Sequence, residues 1–238
     1  MMKTTFFSIL TMVCILFTNV TGSAQTADEI INKYLQALGG QEKLKTIQTV
    51  VMEGSLSVQG FELPIKLSSV HNKGVRQDFS LNGMNGYSII TPTAGWNFNP
   101  FQGQTKPEPI TADDINEGIN QLDIQSPFVD YATKGHAIEL LEKEDIEGTE
   151  CHKIRFTYKN GKEEFCFFDP STFYMVRQKS KTKANGQEIE LISDLSGYSP
   201  NEQGYVFPMT IGSAMGTITM KSVKVNTTLA ETLFTIDK

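Results

Sequence analysis

The chain has 238 residues, of which 39% are hydrophobic and 20% charged, and its formal net charge is −6. That charge argues against nucleic acid as a partner, since phosphate binding needs a basic face. The length is ordinary for one domain of barrel or sandwich type.

The first 24 residues read as a cleaved export signal. Lys3 is followed by the apolar run Phe6 to Phe17 and then by small residues at Gly22 and Ala24, with cleavage expected between Ala24 and Gln25. The apolar run is shorter than the roughly 20 residues of a membrane span. Cys14 stands at a lipobox-like distance from Leu10, but Val13 occupies the place of a small residue, which argues against lipidation. Residues 25–238 are therefore expected as one soluble extracytoplasmic domain.

That domain opens on a helix. Thr26 and Glu29 form a capping box, Ile30, Ile31, Tyr34, Leu35 and Leu38 recur on one face, and Gly39-Gly40 stops the helix. From Thr49 the period changes to two. Val50, Met52, Leu56 and Val58 share one face of a first strand, and Phe61, Leu63, Ile65 and Leu67 one face of a second. Pro64 predicts an edge strand or a bulge there. Short strands follow, ending in "GWNF", and then a Pro/Gly-rich aromatic stretch, "NPFQGQTKPEP". Thr111 to Asp123 reads as a second capped helix with Ile115, Ile119 and Leu122 on one side. Asp113 and Asp114 fall in its first turn, where acidic groups complement the helix dipole.

From Ile138 the pattern is strands again. Asn160-Gly161 predicts a two-residue type I′ hairpin that sets Arg155 opposite Cys166. This leaves Cys151 about 13 Å along the strand from a bonding position, beyond the reach of a disulfide. Both cysteines are expected as buried free thiols. "EFCFFD" is apolar on both faces, which calls for a cover on each, and the two helices are the available covers. Further turns are expected at Asn185-Gly186 and Asn201 to Gly204. About ten or eleven antiparallel strands in sequence, interrupted once by a helix, predict an α+β single-domain half-open β-barrel, with the N-terminal and central helices covering its concave face.

Motifs for catalysis are missing: no H-E-x-x-H, G-x-S-x-G or Walker A loop occurs. His71, His136 and His152 are scattered, the first two near turns where a solvated ring is expected. No enzyme activity, cofactor or metal is anticipated. What stands out is apolar surplus near turns. Trp96, Phe98 and Phe101 lie in one stretch, Met84 and Tyr87 just before it, and Phe128 just after the second helix. These residues either seal a barrel end as core or line the mouth of a greasy cavity.

Several segments resemble the LolA-like outer-membrane lipoprotein-sorting proteins of the Gram-negative periplasm. They are "ADEIINKYLQALGGQEKLKTI", "GWNFNPFQGQTKPEPI", the stretch from Phe128 through the Cys151 hairpin to Gln178, and Phe207-Pro208. The resemblance covers nearly the whole of residues 25–238. It implies a half-barrel with a helical lid whose concave side holds acyl chains of lipoproteins or other lipids. It also implies a monomeric carrier exchanging cargo between an inner-membrane release complex and an outer-membrane acceptor. A sensor of envelope lipoproteins on the same fold is the alternative. On this reading Trp96, Phe98, Phe101, Met84, Tyr87, Phe128, Ile115 and Ile119 form the acyl cavity and its mouth. Carriers of this type use a buried arginine to hold lid or ligand, and the resemblance matches none of Arg76, Arg155 and Arg177 to that role.

Overall fold

The computed structural model describes residues 25–184 and 187–236. The export signal and the Asn185-Gly186 turn lie outside them.

Helix α1 (Ala27–Ala37) starts at the expected capping box. The Glu29 amide donates to Thr26 Oγ1 (3.2 Å), and the Thr26 amide donates to Glu29 Oε2 (3.1 Å). Gly39 and Gly40, at φ of 115° and 97°, turn the chain into the short α2 (Gln41–Leu44). A run of antiparallel strands follows: β1 (Thr49–Val58), β2 (Phe61–Val70), β3 (Gly74–Leu81), β4 (Met84–Ile90), β5 (Gly95–Phe98) and β6 (Glu108–Pro109). Helix α3 (Ala112–Gly118) interrupts it, capped by Thr111 and Asp114, and a 3₁₀ turn over Ile119–Leu122 completes the second predicted helix. The remaining strands are β7 (Ala137–Ile146), β8 (Thr149–Thr157), β9 (Glu163–Phe168), β10 (Met175–Ala184), β11 (Gln187–Ser196), β12 (Ser199–Pro200), β13 (Val206–Phe207), β14 (Thr210–Ser213) and β15 (Gly216–Val225).

Thirteen of these strands form one antiparallel sheet in the order β6-β5-β4-β3-β2-β1-β15-β14-β11-β10-β9-β8-β7, and β12 pairs with β13 apart from it. Because the end strands β6 and β7 do not pair, the sheet stays open, and the architecture is the half-barrel expected. The strand count exceeds ten or eleven because pieces of two to four residues separate from the ten strands of six or more.

Three local expectations need correction. Pro64 sits in an interior strand, not at an edge: β1 pairs through it, while the ladder to β3 begins only at Ile65. Its missing N–H therefore falls where the second ladder has ended. The β8–β9 loop has three residues rather than two. Tyr158 O accepts from Gly161 N (2.8 Å), Tyr158 N donates to Lys162 O (2.8 Å), and Gly161 takes φ 83°. The register moves by one, so Ile154 faces Cys166. Cys151 and Cys166, three positions out of phase, then point to opposite faces of the sheet; both are buried and free. Finally, among the described residues no helix packs on the outer face of β9. Phe165 and Phe167 are covered by lysines: Lys153 Nζ lies 5.2 and 5.5 Å from the two ring centroids, Lys179 Nζ lies 4.9 Å from that of Phe167, and both lysines pair with Glu144 at 2.7 Å. Apolar stems and paired charges shield this face without a second layer.

The inner face is the one under α1. Ile30, Ile31, Tyr34 and Leu35 press onto Ile154, Phe156, Cys166 and Phe168, with Phe128 wedged between. Tyr34 meets Phe128 and Phe168 edge-on at 5.6 and 5.1 Å. Further along, α3 comes so close to β4 that a Cβ on Gly118 would lie 2.5 Å from Ile90 Cδ1. Both helices thus cover the inner face.

Candidate functional site

Where α1 ends, the seal on the inner face opens into a cavity of about 380 Å³, within the usual range for small-ligand sites of roughly 300–1,000 Å³. Strand alternation supplies its floor. Val50 and Met52 of β1 are in register with Ser69 and Leu67 of β2, and Ser69 with Val75 of β3, so all five point inward. Tyr34, Leu38, Leu44 and Ile47 form one wall, and Val206, Phe207 and Pro208 another. The loop carrying Phe207 is tied to α1 by the Val206 amide donating to Leu38 O (3.2 Å).

The last wall is a strap over residues 121–127. Leu122 and Phe128, each 3% exposed, anchor its ends. Gln125 Nε2 donates to the carbonyls of Lys45 (2.8 Å) and Ile47 (2.9 Å), and the Asn72 amide donates to Leu122 O (2.8 Å). Lys134 Nζ binds Asp123 Oδ2 at 2.6 Å and Ser126 O at 3.0 Å. Among the described residues lining the cavity, Asp123 is the one with a charged side chain. The site is therefore an apolar trough with one polar wall.

None of the eight residues singled out in the sequence lines this cavity. In β4 and β5, Ile90 and Gly95 face inward with Val75, whereas Ile89 pairs with Trp96 and Tyr87 with Phe98 on the opposite face. By register, Trp96, Tyr87 and Phe98 therefore stand on the face of the sheet opposite the trough. The Tyr87 and Phe98 rings touch there at 5.7 Å, and the Arg76 guanidinium lies 4.2 Å over Tyr87. Phe101 packs on Phe79 (5.9 Å), an inward residue far along the strand from the cavity. Met84 is 46% exposed beside the β3–β4 turn, and Phe128 belongs to the closed core. Ile115 is half-buried in α3, and Ile119 lines a smaller neighbouring cavity of about 220 Å³.

The arginines are also external. Arg76 pairs with Asp78 (2.8 Å), Arg155 with Glu139, and Arg177 with Asp194, all on the outer face by register. The histidines are packed rather than solvated. His136 lies against Phe156 and Tyr158 and accepts from the Lys159 amide (3.0 Å), and His152 stacks on Phe173 at 6.1 Å. Burial lowers the pKa of all three histidines. Among the described residues no three His, Cys, Asp or Glu side chains gather as metal ligands.

The chain thus forms an open antiparallel half-barrel with an apolar trough beside the end of α1. Its known counterparts come from structure and not from sequence: no family model and no curated protein matches the chain. A LolA superfamily protein from Nitrosomonas europaea superposes with a TM-score of 0.55 at 14% identity, over 90% of this chain and 99% of that one. A putative outer membrane lipoprotein-sorting protein domain from Vibrio parahaemolyticus gives 0.52 at 12%, covering 86% and 97%. A DUF1329 family protein from Desulfovibrio piger gives 0.50 at 12%, covering 89% and 98%. The fold is LolA-like. No described helix is long and apolar enough to cross a membrane.

Proposed function

We propose that the protein is a non-enzymatic carrier that holds an acyl chain of a lipoprotein or another lipid in the trough at the end of α1. It would work in the periplasm of a Gram-negative bacterium, after removal of residues 1–24, and pass its cargo toward the outer membrane. The observation carrying this reading is the trough itself: Val50, Met52, Leu67 and Val75 form an apolar floor that no described side chain fills. Each methylene buried there contributes about 0.8 kcal/mol, so a chain held over part of its length binds usefully and still leaves. Fold alone does not fix function; the location and lining of the trough support the reading beyond the structural likeness.

The test is native mass spectrometry with lipid extraction on protein purified from the periplasm, beside Leu67→Arg. The expected result is an acyl-bearing species on the wild type that is lost from a variant with an unchanged melting profile. Wild-type protein free of acyl species would overturn the proposal. If it instead holds a stable protein partner, the sensor reading takes its place.

A further inference from the structure

The size of the trough, and what keeps it from growing, decide how much ligand it takes. An apolar protein cavity of about 150 Å³ accepts one benzene, about six carbons. At the same packing, a cavity of about 380 Å³ holds about fifteen carbons. That is one acyl chain of ordinary length. A second chain of that length would need twice the space.

The boundaries of the trough are held in place. Along the floor, the inward row of Met52 and Leu67 belongs to the lining, and the next row does not. In that next row Gly54 pairs with Ile65 and Ile65 with Phe79. Ile65 is buried, and Phe79 carries the Phe101 ring at 5.9 Å. On the side of the closed core, Tyr34 meets Phe128 and Phe168 edge-on, so its ring has no room to swing aside. The two walls outside the sheet are tied at several points. Gln125 Nε2 donates to the carbonyls of Lys45 and Ile47, and the Asn72 amide to that of Leu122. Lys134 binds Asp123 and Ser126 O, and the Val206 amide donates to Leu38 O. Room for a second chain requires breaking several of these bonds together, and buried groups left without partners are costly. A single chain enters space that already exists.

We infer that the trough takes one acyl chain per protein, so that its ligand is a singly acylated amphiphile rather than a lipid or lipoprotein with two or three chains. Phe207, the bulkiest side chain of the loop wall, limits the length of that chain. This rests on the acyl-chain reading above and adds to it the number and length of the chains.

The experiment is displacement of a fluorescent single-chain acyl probe, beside native mass spectrometry to count bound copies. The competitors are lysophosphatidylcholines with chains from well below to well above about fifteen carbons. Each is measured below the concentration at which it aggregates. Affinity is expected to rise by up to about fourfold per methylene and to level off near about fifteen carbons, with one copy bound at saturation. Adding a second, short chain to a lysolipid whose first chain already fills the trough is expected to bring no gain. Two bound copies, affinity that still climbs beyond about twenty carbons, or a gain of about tenfold or more from the second chain would overturn the inference and leave the acyl reading standing. If the single-chain probe fails to bind, the acyl reading fails, and this inference falls with it. Phe207→Ala vacates space for up to about six carbons and is expected to move the plateau to longer chains. A plateau that stays in place in a variant with an unchanged melting profile would contradict the limit set by Phe207. The wild-type series decides the number of chains even if the variant does not fold.

Discussion

Two regions of the same inner face differ sharply. Under the first turns of α1, strands β8 and β9 present Ile154, Phe156, Cys166 and Phe168, none more than 2% exposed. At the end of α1, strands β1 to β3 present Val50, Met52, Leu67 and Val75, equally apolar, around a cavity of about 380 Å³. Strand alternation is the same in both. The difference lies in what stands opposite. Phe128 and the α1 side chains interlock with the first region, whereas the second faces a strap and a loop held in place by the Gln125 side chain on the carbonyls of Lys45 and Ile47 and by the backbone bonds Asn72 N–Leu122 O and Val206 N–Leu38 O. An apolar face becomes a core or an open cavity according to its cover, and its own sequence does not tell them apart.

The comparison can be broken by truncating each region. Phe168→Ala in the closed region is expected to cost about 3–5 kcal/mol of stability, read as a lowered denaturation midpoint, because it empties a packed site. A loss below about 1 kcal/mol would mean the region is not packed as described. Leu67→Ala in the open region is expected to cost only about 1 kcal/mol, since the side chain already borders space, and to weaken acyl binding at the same time. A Leu67→Ala cost as large as that of Phe168→Ala would erase the distinction between core and trough.

Two smaller effects sharpen it. Thr26→Ala removes the cap of the helix that covers the closed region and walls one side of the trough, and a loss of about 1 kcal/mol is expected; an unchanged midpoint would show that α1 is held by packing alone. Glu164 probes the buried interior of the closed half. It accepts from Tyr158 Oη (2.9 Å) and Gln178 Nε2 (2.5 Å), and burial raises its pKa. An acid whose folded pKa is raised contributes stability that is present at low pH and lost as pH rises through that value. Glu164→Gln keeps an acceptor for both donors. It should match the wild type near pH 4 and exceed it increasingly toward pH 7. Parallel stability–pH curves for the two proteins would contradict the burial of this carboxyl.

Much of this was legible in the sequence. The capping box at Thr26, the capped start of the second helix at Thr111, the apolar stripe of α1 and the period-two faces of β1 and β2 all give the observed elements. Val50, Met52 and Leu67, which line the trough, were already grouped by that alternation. What could not be read was parity across turns. Trp96 lies outside the half-barrel because β5 pairs Ile89 with Trp96 after an irregular turn, and a one-residue change there exchanges the faces. The three-residue β8–β9 loop has the same origin, since Asn-Gly serves either turn length. The trough itself joins residues from 34 to 208, and no local pattern reports that Phe207 and Ile124 stand across from Leu67. The aromatic surplus around Trp96 drew attention to the outer face because size and loop context are visible in a sequence and facing is not.

The most direct test of the account is photo-crosslinking with an acyl chain carrying a diazirine at its end, mapped by peptide mass spectrometry. The structure predicts adducts on Met52, Leu67, Val75 and Phe207. Adducts confined to Trp96, Phe98 and Tyr87, or none above the level of a detergent-competed control, would contradict it.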